Sequence, residues 1–213
     1  MRNRLNIFIL ALFILFFQSK LFAEITGSPH DFSGVDSNHR GSGEICKVCH
    51  TPHNSNSAEI PLWWGSLSPR GYTLYGSDTL DATVNQPLAP TKICLTCHDG
   101  SIASSQPVGC ISCHKLVHDG GGGDTNLGND HPVSFRYDTA LAKTDGALRD
   151  PGGTVVTSLG GKTIQEGMLY QDRLECSSCH DVHAKKGDSG AANSKLLLVN
   201  NTGSALCLTC HSK

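Results

Sequence analysis

Apolar positions are unevenly spread along this chain. Residues 5–17 form an apolar run broken only by Asn6, and Arg2 and Arg4 precede it. A positive start, an apolar middle and then Leu21-Phe22-Ala23 predict a secretory leader over residues 1–23, cut after Ala23. The run is too short for a comfortable membrane span, which needs about 20 apolar residues. Beyond it the pattern holds no long amphipathic period. Short helices are expected around a few cysteine-rich segments, with Thr91 capping the one that holds Cys94 and His98, and Ser204 the one that holds Cys207 and His211. One alternating stretch, Thr154-Val155-Val156-Thr157, is followed by Gly160-Gly161 and Lys162-Thr163-Ile164, which predicts a β-hairpin with a glycine turn. Asp119 and the glycines 120–123 read as loop. The fold class expected is mostly coil, with short helices and one hairpin.

Removing the leader leaves residues 24–213, one domain by length. The composition is thin for an ordinary core: 38% hydrophobic, 6% aromatic and 23 Gly in 213 residues. Something other than side chains must supply apolar surface. Loss of Arg2, Arg4 and Lys20 takes three positive charges from the formal −2, leaving −5. That balance argues against nucleic acid as a partner and favours cationic patches on redox partner proteins.

The ten cysteines supply the missing explanation. Every one belongs to a Cys-x-x-Cys-His motif: Cys46/Cys49/His50, Cys94/Cys97/His98, Cys110/Cys113/His114, Cys176/Cys179/His180 and Cys207/Cys210/His211. This is the attachment signature of haem c. Two thiols add across the porphyrin vinyl groups, and the adjacent imidazole lies under the iron as proximal ligand. A zinc site has no need for His directly after the second Cys, and the tight spacing does not favour structural disulfides. Five covalent haems also supply the apolar bodies around which so coil-rich a chain can wrap, so the apo-chain is not expected to fold. Covalent attachment takes place outside the cytoplasm, in agreement with the leader, so a periplasmic or extracellular location is expected, with no membrane insertion once the leader is cut. The segment containing Leu62, Trp63 and Trp64, with Tyr72 and Tyr75, could pack on haem faces or simply on neighbouring loops.

The sixth iron position separates electron transfer from catalysis. Eleven His are present; five are proximal, leaving His30, His39, His53, His118, His131 and His183 as distal candidates. Met168 is the only Met beyond the leader, so methionine is a poor alternative. Six spare His for five irons fits two His on each iron, with no open site and hence no enzyme activity. His53 and His183 each follow a proximal His by three residues. Such a ring cannot reach the far face of its own haem but can reach a neighbouring one, so these segments should tie haems into close pairs. His118, four residues after His114, could act similarly.

The stretches GSPHDFSG, GEICKVCHTPHNS, PLWWG, KICLTCHDGS, DHPVSFRYDTALA, LECSSCHDVH and SALCLTCH, in this order, resemble the OmcE-type extracellular filament cytochromes. The resemblance spans nearly the whole chain after the leader. It implies a coil-rich fold, bis-His haems stacked along a filament of identical copies, and one distal His that reaches the adjacent subunit. Carried over, the distal set is His30, His53, His131 and His183, with Asp130 and Pro132 setting the backbone around His131. His30, near the new N-terminus, is the candidate for ligation across copies. The chain departs from that family in its fifth motif, Cys110 to His114, where OmcE-type subunits have four haems. The simplest distal ligand for the extra iron is His118 or His39. The alternative is a monomeric periplasmic shuttle. Pentahaem nitrite reductases resemble this chain only in haem count, and their Cys-x-x-Cys-Lys haem motif does not occur in it.

Overall fold

The computed structural model describes residues 25–26, 28, 30–33, 45–55, 62–63, 65–99, 125–183 and 196–212. The leader, the fifth motif with Cys110, Cys113 and His114, the glycine run, His39, His118 and Trp64 lie outside them. Coil dominates the described residues, with short helices and two-residue strands between, as the composition predicts.

Helix α1, Thr91–His98, starts at the residue expected to cap it, one position early. Pro90 holds the cap position with helical backbone angles, which its ring favours, so Thr91 is already helical. The buried Thr91 hydroxyl instead accepts from the Cys176 N–H at 3.0 Å, tying the second motif to the fourth. Strand β1, Phe135–Arg136, leads into α2, Thr139–Asp145. Asp138 caps α2 by accepting from Leu141 N–H, and Gly146, at φ 71°, closes it in the left-handed region that glycine enters without strain.

The predicted hairpin is present. Strand β2, Val155–Val156, pairs antiparallel with β3, Lys162–Thr163. Its turn is a 3-10 segment, Thr157–Leu159, followed by Gly160 and Gly161, both at positive φ. Thr163 then caps α3, Ile164–Met168, in a reciprocal capping box with Glu166. A second pairing was not expected. Strand β4, Arg173–Leu174, runs antiparallel to β1, with Phe135 opposite Leu174 and Arg136 opposite Arg173. Two-residue strands far apart in sequence leave no period to read. The join is instead held by a buried polar group. Ser134 Oγ donates to Glu175 Oε2 at 2.6 Å, Arg173 Nε donates to Glu175 Oε1 at 3.1 Å, and Arg173 Nη2 donates to the Ser134 carbonyl.

Helix α4, Cys176–Cys179, follows β4, and α5, Ala205–Cys210, ends the described chain. Ser204 does hold the α5 cap position, but at φ 65° and without a side-chain capping bond. Asn201 Oδ1 accepts from Leu206 N–H in its place, at 3.2 Å. Around these elements lie two small cores. Phe135, Tyr137, Val156, Ile164, Met168 and Leu174 belong to the larger. Tyr72, Leu95 and Leu127 form the smaller, against α1.

Candidate functional site

Each described motif makes one helical turn, and the turn explains the spacing. His50 N–H donates to the Cys46 carbonyl at 2.8 Å, His180 N–H to Cys176 at 3.0 Å and His211 N–H to Cys207 at 3.0 Å. The motif of Cys94, Cys97 and His98 lies wholly inside α1. One turn therefore sets both thiols and the imidazole beside each other, as attachment along one porphyrin edge requires. His180 and His211 leave their helices with extended backbone angles.

That exit is fixed by pairing with a neighbouring segment. Thr51 N–H donates to the Leu62 carbonyl, bridging His50 to Trp63. Asp181 and Leu198 bond across His180 and Leu197 in the same way, and Arg149 and Ser212 across Leu148 and His211. At α1 the anchor is the next residue. Asp99, with no exposed surface, accepts from Ser68 Oγ and from Tyr72 Oη.

The thiols follow one another in chain order. Burial pushes the Cys97 thiol up to about 11, and neighbouring Cys49 adds to the rise. A hydrogen bond with Cys176, then burial, holds the Cys94 thiol protonated, and the same bond lowers Cys176. Burial raises Cys179 and Cys210 to about 11; Cys207 adds to both, and Cys179 also acts on Cys210. The four pairs thus form one connected line, from Cys46 and Cys49 through Cys97 and Cys94, then Cys176 and Cys179, to Cys207 and Cys210. None of the eight is in a disulfide.

The imidazoles supply the second half of the site. His30 faces His98 with ring centres 6.1 Å apart, His50 faces His183 at 6.2 Å, and His131 faces His211 at 6.3 Å. Each pair joins a His that follows a Cys-x-x-Cys to one that does not. Two metal–imidazole bonds in line, each about 2.0 Å with the ring centre about 1.1 Å behind the nitrogen, put ring centres about 6.2 Å apart. The three ring separations match that value. His183, three residues beyond His180, thus lies beside the ring of a different motif. His53 is exposed. His30, expected on an arm free to reach another copy, is partly buried against His98 of its own chain.

Ring electrostatics agree with ligation. Burial, with His180 and His183 nearby, lowers the His30 pKa, favouring the neutral form that binds metal. His131 Nδ1 lies 2.9 Å from the Pro132 carbonyl. A carbonyl only accepts, so Nδ1 carries the proton and Nε2 is left to ligate. The buried Nδ1 atoms of His30 and His50 have no hydrogen-bond partner. Sequence reading missed the Ser68–Tyr72–Asp99 group, since nothing local marks Ser68 or Tyr72 as partners of a residue beside a ligand. Met168 is buried in the larger core.

Residues 170–213 match the family described as Doubled CXXCH motif. The match covers the motifs at Cys176 and Cys207 and marks them as attachment sites for covalent haem c. No curated protein matches the chain.

Proposed function

We propose that this chain, a multihaem c-type cytochrome that transfers electrons through covalently bound haem c, carries five haems, each iron held between two imidazoles. The observation that carries the reading is the set of three imidazole pairs at one common separation. His98, His50 and His211 are the proximal ligands of those pairs, and His30, His183 and His131 the distal ones. Reciprocity assigns His53 to the His180 iron, since His50 already meets His183 across the same two segments. His118 or His39 serves the His114 iron.

When bound, haem iron supplies a reversible one-electron couple. The chain supplies the rest. Cysteines would hold each porphyrin edge, backbone bridges orient the proximal rings, and paired imidazoles would hold each iron, leaving no place for a substrate. The protein is accordingly read as an electron carrier and not an enzyme. The connected thiol line brings successive haem edges close, the arrangement that short-range electron transfer needs. The leader predicts export to the periplasm or cell surface. Among the described residues no helix is long and apolar enough to cross a membrane.

The resemblance to filament cytochromes favours assembly of copies into an extracellular conduit. A second reading, a monomeric periplasmic shuttle, is favoured by a specific observation: His30, the residue expected to cross between copies, stands 6.1 Å from His98 of its own chain. Electron microscopy of the haem-loaded protein decides between them, with an absorption spectrum from the same sample. Filaments with a low-spin spectrum support the conduit. Dispersed particles with that spectrum refute it and leave the shuttle.

A further inference from the structure

We propose that the imidazole pairs impose two different ligand fields, near-parallel at His50/His183 and crossed at His131/His211, with His30/His98 tilted between them. The inference rests on the bis-His reading above and goes beyond it. The His50 and His183 ring planes meet at 16°. Those of His131 and His211 meet at 75°, and those of His30 and His98 at 55°.

An imidazole donates π-density through the orbital perpendicular to its ring. Parallel rings donate into the same iron dπ orbital and split it from its partner. Crossed rings donate into one orbital each and leave the two nearly equal in energy. Low-spin ferric iron then keeps more orbital angular momentum, so its EPR envelope is far more anisotropic, with the low-field feature displaced to lower field. Axial-ligand arrangement is among the levers by which a protein sets the electronic state of a haem.

The angles are built into the fold. The backbone of His50 is clamped by its bridge to Trp63, and that of His211 by its bridge to Leu148. His131 is turned by its Nδ1 bond to Pro132, and the His183 backbone N–H donates to Asp181 Oδ1 at 2.9 Å. His30 is set by its N–H to Ser28 Oγ and by the edge of Phe32, 6.2 Å away between ring centres. The near-parallel pair stands at the Cys46 end of the thiol line and the most crossed pair at the Cys207 end. The two ends therefore carry different signatures, and the order in which the signatures disappear on reduction gives the order of the two ends' potentials.

The test is EPR of the haem-loaded protein through a reductive titration, so that the irons change state in turn. The wild type should show both a rhombic low-spin envelope and a highly anisotropic one. His183→Ala should lose rhombic intensity and keep the anisotropic share; His131→Ala should do the reverse. A wild-type spectrum with only one envelope type overturns the inference without need of any variant, as does loss of the anisotropic signal alone in His183→Ala. High-spin iron in the wild type would instead overturn the bis-His reading itself.

Discussion

At Asp99 one carboxylate oxygen accepts from two hydroxyls, those of Ser68 and Tyr72, the latter at 2.6 Å. Removing one donor leaves a buried acceptor short of a partner, which costs about 1–3 kcal/mol. Tyr72→Phe should lower unfolding stability of the haem-loaded protein by that amount in a denaturant titration. The same pair sets an alkaline limit. Burial, then the bond to Asp99, pushes the Tyr72 hydroxyl up to about 12, and burial chiefly raises Tyr137 as well. An unfolded tyrosine ionises near about 10. Above that value the unfolded chain sheds protons that the folded chain keeps, so stability falls as pH rises and is intact below it. Tyr72→Phe should flatten the decline between the two values; an unchanged slope would rule out Tyr72 as its source. None of this was legible in the sequence. The Cys-x-x-Cys-His motifs were, because their geometry is one local turn. Tyr72 and Asp99 meet only through the fold.

Among the elements, the β2–β3 hairpin and the following α3 form the most regular unit. Ile164, fully buried, follows the Thr163 cap directly and belongs to the larger core with Val156 and Met168. Ile164→Ala should cost about 2–5 kcal/mol. Val155, on the opposite face of β2 and 60% exposed, should change stability by less than about 0.5 kcal/mol as Ala. Thermal or denaturant unfolding of the two variants side by side checks the contrast; equal losses would contradict the placement of Val155 outside the core. The hairpin was readable because alternation and paired glycines fall close together; α3, which takes Ile164 out of the expected second strand, was not. The β1–β4 pairing was not, because its stability comes from Ser134, Arg173 and Glu175 closing over a two-residue ladder. The α1 cap was misplaced for a related reason, since Pro90 starts the helix and frees Thr91 to bind the Cys176 N–H.

For the whole molecule, the thiols and imidazoles give a stronger account than the side-chain cores. The cores are small; Leu95, inside the Cys94 motif, belongs to one and Cys210 packs on the other. Counting histidines showed that two per iron were available. It could not show that His30 turns inward to His98, or that His131 meets His211, because those partners are distant in sequence and the choice among six candidates is made by packing. The central claim is that every iron has both axial positions filled by His. The most direct measurement combines intact mass of the purified protein with its ferrous absorption spectrum before and after carbon monoxide. The account predicts the mass of five haems and a low-spin spectrum that carbon monoxide leaves unchanged. Fewer haems, or a spectrum that shifts on adding the gas, would contradict it.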